Sequence, residues 1–372
     1  MKNPRPGALA CLAALIGVTT CRAAGADDMA FPAGEWARAA PESQGLDPGR
    51  LAEAVRYLEQ HVGPDGVKRL VIVRRGRMIW SGAEADRRQP VASITKAFTS
   101  TAHGLLIADR KCTLDTLARD YNPEHLAELY PDVTLRHLAT MTSGYDGIGG
   151  SYDCDGEKKR CDANALVPPS SPVFPPGTRF MYWDEATQEY GYVLTRIAGE
   201  PLPDLLRRRV LDPLGVTTVA WNRDATGKHL NWTGGLEISA ADLARFGHLY
   251  LNRGAWDGMR LIDPAWVDEA TRVQVPASVP SGHSGSDHRE GSGVYGYHWW
   301  PNGIKPDGQR KWPDAPEGTY ARSVYKNNHC FVIPEWGMVV VWLGLDHAHK
   351  ITDREWNEFL KRTGRAIRRE GR

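Results

Sequence analysis

The apolar positions in the first hundred residues follow helical spacing first and strand spacing next. Residues 48–59 have apolar side chains at helical intervals, which predicts an amphipathic helix. Two short apolar runs follow at 69–73 and 77–80, separated by two arginines and a glycine, and this pattern predicts a β-hairpin. After Ser93 the apolar residues again fall at helical spacing as far as Leu106, so a second long helix is expected there.

The middle of the chain is mostly helical in pattern. Residues 114–209 have helical spacing that is broken by a loop rich in proline and glycine at 144–177. Ser239 begins a capping signal for a helix that runs through Leu251. Residues 282–293 are rich in glycine, serine and histidine and predict a mobile surface loop.

Strand-like sequence returns near the C-terminus. Residues 330–333 and 338–343 are apolar runs on either side of a turn, and they predict two strands. The pattern after them predicts a final helix with Trp356, Phe359 and Leu360 on its apolar face. The chain therefore begins and ends with strands and has helices between them.

This order of elements predicts one α/β (α+β) domain over residues 27–372. Strands from both ends of the chain would form its antiparallel sheet, with helices on the flanks. The α/β part would comprise about residues 40–110 and 290–372, and a mostly helical region at about 111–289 would be inserted between them.

Composition and charge narrow the classes of partner. The chain has 372 residues, of which 41% are hydrophobic and 24% charged, as is ordinary for a soluble globular protein. The formal net charge is +1 and no long basic run is present, which argues against nucleic acid as a partner. We predict no metal and no cofactor, and a monomer or weak oligomer.

The first 26 residues have the pattern of a secretory signal. A basic start precedes an apolar run at residues 8–18, which is too short to span a bilayer, and residues 24–26 form an A-x-A cleavage site. We therefore predict a signal peptide at 1–26, a periplasmic or secreted protein, and no integral membrane segment after cleavage. A buried N-terminal helix and lipidation at Cys21 stay open as alternatives.

Four cysteines follow the predicted signal peptide. Cys154 and Cys161 flank a polar loop of six residues and are the predicted disulfide, because an exported protein meets an oxidising environment. Two free thiols are the alternative, and a metal site is disfavoured since no histidine lies near the pair. The pairing of Cys112 and Cys330 stays open.

The main chemical signal is the Ser-x-x-Lys pattern at residues 93–96, where the second helix is predicted to begin. Helical spacing would place the Ser93 hydroxyl and the Lys96 amine on one face, about a turn apart. A serine becomes a strong nucleophile when a base takes its proton, and a neutral lysine can be that base. A second match at 323–326 lies in strand-like sequence, which cannot hold the pair in this way.

Five segments, in this order along the chain, resemble the serine β-lactamase and penicillin-recognising superfamily, and most of all its class C β-lactamase branch. The segments are residues 90–96 (PVASITK), 133–144 (VTLRHLATMTSG), 176–184 (PGTRFMYWD), 234–239 (GGLEIS) and 331–334 (FVIP). The resemblance implies a β-lactamase/transpeptidase-like fold. It also implies kinship with esterases, D-amino-acid peptidases and nylon-oligomer hydrolases.

The resemblance assigns catalytic roles to three residues. In that family a serine attacks a carbonyl carbon. A lysine helps to remove the proton of the serine hydroxyl, and a tyrosine completes the proton network. These roles would fall on Ser93, Lys96 and Tyr182. One departure is Asp184, which replaces the family's asparagine, and a carboxylate beside Lys96 would stabilise the ammonium and oppose its use as a base. Either the proton transfer falls mainly on Tyr182, or Asp184 is turned elsewhere.

The third motif of the family is also altered here. Residues 323–329 contain no glycine, although the family's version of this strand has glycines that let substrate approach closely. Lys326 could still hold a substrate carboxylate, and a solvated lysine is the alternative. We predict that the substrate-binding residues are Asp184, Lys326, Asn327 and Tyr145.

Two functions of different class follow from these residues. The first is an exported serine hydrolase that acts through an acyl-enzyme on a small ester or amide, with esterase or amide hydrolase ranked ahead of β-lactamase. The alternative is a catalytically impaired, penicillin-binding-like protein that binds or senses its ligand, because a fold alone does not establish an activity.

Overall fold

The computed structural model of the protein describes residues 29–147, 166–224, 226–282, 290–323, 328–345 and 351–368. Its strands are β1 (Leu70–Arg74), β2 (Arg77–Ser81), β3 (Gln89–Pro90), β4 (Ala220–Trp221), β5 (Leu236–Ile238), β6 (Ala255–Trp256), β7 (Met259–Arg260), β8 (Trp300–Pro301), β9 (Tyr320–Ser323), β10 (Asn328–Ile333) and β11 (Met338–Leu343). Its α-helices are α1 (Pro48–His61), α2 (Thr95–Ala108), α3 (Pro123–Leu126), α4 (Leu135–Ala139), α5 (Asp184–Ala198), α6 (Leu202–Leu206), α7 (Ala240–Leu251), α8 (Pro264–Thr271) and α9 (Asp353–Ala366).

Six strands form the main sheet in the order β2-β1-β11-β10-β9-β8, and each neighbouring pair is antiparallel. The strand β1 from the N-terminal part pairs with β11 from the C-terminal part, so that Leu70 lies opposite Trp342. The predicted α/β class, with an antiparallel sheet built from both ends of the chain and flanked by helices, is therefore confirmed.

The central strands are covered on both faces, which explains why their sequences are continuous apolar runs. Successive side chains of a strand point to opposite faces. Leu70 and Ile72 accordingly pack in the apolar cluster that contains residues of α1 and α9, whereas Val71 and Val73 pack with residues of α2 and α7. The second helix, α2, lies on the latter side and carries the Ser-x-x-Lys pattern.

The helix α7 falls inside the predicted insert at about 111–289, yet it packs on the main sheet. A side chain at Gly247 would collide with Val339 of β11 and with the Cys330 sulfur of β10, so this glycine permits the close approach. A small sheet in the order β3-β5-β4 joins two strands of this region to β3, which lies just before Ser93. Strands of two or three residues are too short to produce a periodic pattern, and the sequence did not predict them.

The predicted loop at 282–293 is partly described and is packed where it is seen. Gly291 lies against Phe180, with no room for a side chain, and the Ser292 hydroxyl donates to the Val279 carbonyl at 2.7 Å. Residues 283–289 lie outside the described residues. The predicted signal peptide, the Cys154–Cys161 disulfide, and Lys326 and Asn327 lie outside them as well.

Among the described residues, Cys112 and Cys330 are free and buried. None of the helices in the described ranges combines the length and apolar character that crossing a bilayer requires.

Candidate active site

Ser93 lies in a 3-10 turn, Ala92–Ile94, that leads directly into α2. Ala92 has φ of +48°, a left-handed conformation that an alanine adopts only when its surroundings impose it. One such contact comes from Thr95, whose hydroxyl donates to the Ala92 carbonyl at 2.7 Å and accepts from the Leu236 amide at 3.1 Å. The turn therefore fixes the half-buried Ser93 at the start of the helix.

The loop at residues 231–235 supports this turn from the outside. The Asn231 side-chain oxygen accepts hydrogen bonds from the backbone amides of Thr233 and Gly234, at 3.0 and 2.9 Å. A side chain on Gly234 would come within 3.4 Å of the Ala92 backbone, and one on Gly235 within 2.5 Å of the Asn231 carbonyl. The Gly-Gly pair in the sequence thus corresponds to close backbone packing behind Ser93.

Lys96 is fully buried, and three oxygens surround its amine. The Nζ atom lies 2.8 Å from Ser93 Oγ, 2.9 Å from the Thr233 carbonyl oxygen and 2.7 Å from Asp184 Oδ1. A lysine ammonium has three hydrogens to donate, and a neighbouring carboxylate favours the charged form. This arrangement places the Lys96 amine to donate to the Ser93 hydroxyl oxygen and so to orient that hydroxyl.

Tyr182 lies between two cationic side chains. Its hydroxyl oxygen accepts a hydrogen bond from Arg322 Nη2 at 2.7 Å, and Lys96 Nζ lies 5.2 Å from the centre of its ring. Tyr182 also has an aromatic contact, because its ring stacks on the ring of Trp300 with centroids 6.0 Å apart. The Tyr182 oxygen is therefore held by a charged donor, and its ring is held by an aromatic neighbour.

Arg322, in β9, is the residue that the sequence analysis missed. It is fully buried, and it donates from Nε to the Ser93 carbonyl at 2.6 Å and from Nη1 to the His298 carbonyl at 2.9 Å. Burial alone would lower the pKa of Arg322, but the phenols of Tyr182 and Tyr295 outweigh it and raise the pKa. The signal in the sequence that could have indicated this residue is an arginine directly before the altered third motif, residues 323–329.

Tyr145, a predicted substrate contact, lies in a buried network. Only 2% of its surface is exposed, and its single hydroxyl hydrogen has two acceptors in reach, Glu189 Oε2 at 3.2 Å and the Val167 carbonyl at 3.4 Å. Glu189 also accepts from Asn122 at 2.6 Å and lies 2.9 Å from His125 Nδ1. The contact of Tyr145 with substrate stays a prediction, and the engagement of its hydroxyl here gives that prediction no support.

The second Ser-x-x-Lys match begins in a strand, as expected. Ser323 is the last residue of β9, and its hydroxyl lies 2.7 Å from His329 Nδ1 on the neighbouring strand β10. Burial lowers the pKa of His329 to about 3, so this imidazole is neutral near neutral pH. Ser323 is therefore held by a sheet contact, in a setting unlike that of Ser93.

A second buried carboxyl lies next to Asp184. Glu185 is 2% exposed, and neither of its carboxylate oxygens has a hydrogen-bond partner in the described part of the chain. Burial, with a smaller contribution from the charges of Asp184 and Asp146, raises the pKa of Glu185 to about 8. The Glu185 side chain is accordingly protonated in the folded protein at neutral pH.

We expect the change Glu185→Gln to stabilise the protein at alkaline pH relative to the wild type. An acid whose pKa rises from 4.5 to about 8 on folding favours the folded state below pH 4.5, and that contribution is lost as pH rises through 8. The difference in unfolding free energy between variant and wild type should therefore grow across this window, with an upper bound of about 5 kcal/mol. Denaturant titrations at pH 5, 7 and 9 measure it.

The exposed Glu53 provides the matched control for that experiment. Its replacement by glutamine removes a carboxylate from the surface of α1 and should leave the pH dependence of unfolding as in the wild type. A Glu185→Gln protein whose unfolding free energy had the same pH dependence as that of the wild type would contradict the assignment of a raised pKa to Glu185.

The family model described as Beta-lactamase matches residues 56–344 of this chain. A β-lactamase from Pseudomonas fluorescens is 26% identical over 142 residues, which are 36% of this chain and 39% of that protein. The chain thus aligns with well under half of the length of this curated relative.

Two solved structures illustrate the shared fold. A candidate 6-aminohexanoate-dimer hydrolase from Bacillus anthracis has a TM-score of 0.65 and 18% identity, and the match covers 92% of this chain and 88% of that one. EstCE1, a hydrolase with promiscuous acyltransferase activity, has a TM-score of 0.62 and 19% identity, covering 84% and 99%. Likeness at this identity shows the fold alone. The family match, which extends over most of the chain, places this protein in the beta-lactamase family.

Proposed function

We propose that the protein is an exported serine hydrolase that transfers the acyl group of a small ester or amide to Ser93 and then to water. The observation that carries this proposal is the buried Lys96 amine, 2.8 Å from Ser93 Oγ and paired with Asp184. Membership of a family that contains hydrolases supports it. Export rests on the signal-like sequence of residues 1–26.

The first step is attack by Ser93 on the substrate carbonyl. The proton of Ser93 passes to Tyr182 in its phenolate form, while the Lys96 amine, paired with Asp184, donates to the serine oxygen. A bond forms between Ser93 Oγ and the carbonyl carbon, and the carbonyl oxygen takes up the negative charge of the tetrahedral intermediate. The Tyr182 hydroxyl now carries the proton.

The second step releases the leaving group. The Tyr182 hydroxyl gives its proton to the leaving oxygen or nitrogen as the carbon–oxygen or carbon–nitrogen bond breaks, and the acyl group stays on Ser93. Tyr182 is then a phenolate again and takes a proton from the water that attacks the ester of Ser93. Loss of Ser93 from the second tetrahedral intermediate, with return of the proton, restores the enzyme.

The ester or amide class is supported by the chemistry of relatives. One is described as a 6-aminohexanoate-dimer hydrolase and another as a hydrolase with acyltransferase activity. Both descriptions require transfer of an acyl group, which is what a serine held by a lysine can perform. We rank small esters and amides ahead of β-lactams because residues 323–329 lack the glycines of the family's third motif.

The test is covalent labelling with a serine-directed fluorophosphonate, followed by intact mass measurement and peptide mapping. We expect one adduct, on Ser93, and turnover of at least one member of a panel of esters, amides and β-lactams. The matched control is Ser323→Ala, which removes the second Ser-x-x-Lys match and should be labelled at the wild-type rate. A folded protein without an adduct on Ser93 would contradict the proposal and favour the binding or sensor function.

A further inference from the structure

We propose that Arg322 is a positioning residue of this site, which ties the Tyr182 oxygen to the backbone of Ser93 and supplies the cation that supports Tyr182 as a proton acceptor. This inference rests on the proposed function. In the sequence, the altered third motif offers Lys326 as a cation that could hold a substrate carboxylate. The structure supplies one four residues earlier, inside β9.

The contacts of Arg322 fix two parts of the site to one rigid group. Its Nε donates to the Ser93 carbonyl at 2.6 Å, and its Nη2 donates to the Tyr182 hydroxyl oxygen at 2.7 Å. The third donor, Nη1, bonds the carbonyl of His298, a residue with φ of +61°. Because a guanidinium is planar and its donors have fixed directions, the Tyr182 oxygen is held at a set place relative to the backbone of Ser93.

Arg322 does not have the exposure that a substrate-binding residue needs. Its side chain is fully buried, and its hydrogen bonds go to two backbone carbonyls and to Tyr182. It therefore acts through Tyr182. Since Arg322 donates to the Tyr182 oxygen, the proton of that hydroxyl is left free to point toward Ser93 and the substrate.

Arg322 is the cation that is hydrogen-bonded to the Tyr182 oxygen, and other charged and titratable groups surround that contact. The titratable groups that face Tyr182 are Arg322 from β9, Lys96 from α2, Asp184 from α5, and Tyr295 and His298 from the segment before β8. The charge of Lys96 is offset by Asp184, 2.7 Å away. Burial lowers the pKa of His298 far below its usual value, so that imidazole is neutral.

Within the described part of the chain, no carboxylate is hydrogen-bonded or ion-paired to Arg322. A buried charge without a counter-ion is costly. A phenolate at Tyr182 would provide that counter-ion, so Arg322 and the deprotonated Tyr182 stabilise each other.

The experiment measures how fast the fluorophosphonate labels Ser93 between pH 5 and 10. The proteins are the wild type, Arg322→Met, Arg322→Lys, Tyr182→Phe, and the two Arg322 changes combined with Tyr182→Phe. The matched control is Arg245→Lys, because Arg245 is also buried and also donates to backbone carbonyls, those of Pro32 and Leu214 among them. Circular dichroism and thermal melts report folding for each variant.

We expect Arg322→Met to slow labelling about tenfold or more at pH 7 and to move the alkaline rise of the rate up by about 1 pH unit, because the phenolate has lost its cation. The labelling rate and pH profile of Arg322→Lys should lie between those of the wild type and of Arg322→Met, because lysine keeps the charge but not the planar geometry. In the Tyr182→Phe background neither change should slow labelling further. Arg245→Lys should leave the pH profile as in the wild type.

Several results would overturn the role of Arg322. A uniform loss of rate at every pH, or an equal loss in the Tyr182→Phe background, would mean that Arg322 only maintains the fold. Wild-type rates in both Arg322 variants would show that it has no part in labelling. If Arg322→Met does not fold, the comparison of Arg322→Lys with and without Tyr182→Phe decides the question. A wild type that is not labelled at Ser93 contradicts the proposed function itself, which separates the two failures.

Discussion

The Ser93→Ala protein is expected to lose covalent labelling completely and to hydrolyse any ester or amide substrate at least about 10³-fold more slowly than the wild type. No other hydroxyl among the described residues lies within hydrogen-bond distance of the Lys96 amine. Rates with the best substrate from the panel and intact mass spectra after labelling measure the two effects.

The fold should survive this substitution. Ser93 is half-buried in a 3-10 turn, and the contacts that hold the turn come from its neighbours Ala92 and Thr95. Losing one hydrogen bond from Lys96 costs about 1 kcal/mol, which shifts the melting temperature of a chain of this size by only a few degrees. A collapse of the melt would instead make Ser93 structural, and wild-type turnover in a folded Ser93→Ala protein would place the nucleophile elsewhere.

The sheet was predictable because local sequence carries the signal for a strand that is buried on both faces. The runs at 70–74 and 338–343 are apolar at every central position, and they form β1 and β11. The proximity of Ser93 and Lys96 was predictable for a similar reason, since helical spacing fixes it without knowledge of the rest of the fold.

Contacts between distant parts of the chain were accessible only in part. The pairing of Lys96 with Asp184 was anticipated because the resemblance placed both residues in known motifs. Arg322 belongs to no such motif, and its bonds to Ser93 and Tyr182 span 229 and 140 residues. Tyr145 directly follows the matched segment 133–144 and was predicted to contact substrate. In the structure its hydroxyl is hydrogen-bonded to Glu189 in the protein interior.

These contacts indicate separate roles for Lys96 and Tyr182 at the site. Asp184 departs from the family's asparagine and lies 2.7 Å from the Lys96 amine. The buried Arg322 donates a hydrogen bond to the Tyr182 oxygen. In the proposed mechanism Tyr182, and not Lys96, takes the proton of Ser93. The two unusual features of the sequence, an aspartate in the second motif and an altered third motif, therefore fit a single mechanism centred on the tyrosine.

Tyr182→Phe should lower the rate of Ser93 acylation by about 10²–10⁴-fold, the usual contribution of a positioned acid–base group. Phenylalanine keeps the ring that stacks on Trp300, so the aromatic packing is retained. The variant loses the oxygen that accepts from Arg322 and, with it, the group that takes the proton of Ser93. Single-turnover acylation with a chromogenic ester, followed from pH 5 to 10, measures both the rate and its pH dependence.

The control for this change is Tyr190→Phe, because the hydroxyl of Tyr190 is also buried and lies 2.6 Å from His103 Nδ1. Both variants lose a buried hydroxyl, and each should lose about 1–3 kcal/mol of stability because a polar partner is left unsatisfied. Only Tyr182→Phe should also lose the alkaline rise of the acylation rate. Equal rates in the two variants would show that the proton of Ser93 does not pass through Tyr182, and Lys96 would then be the base despite its pairing with Asp184.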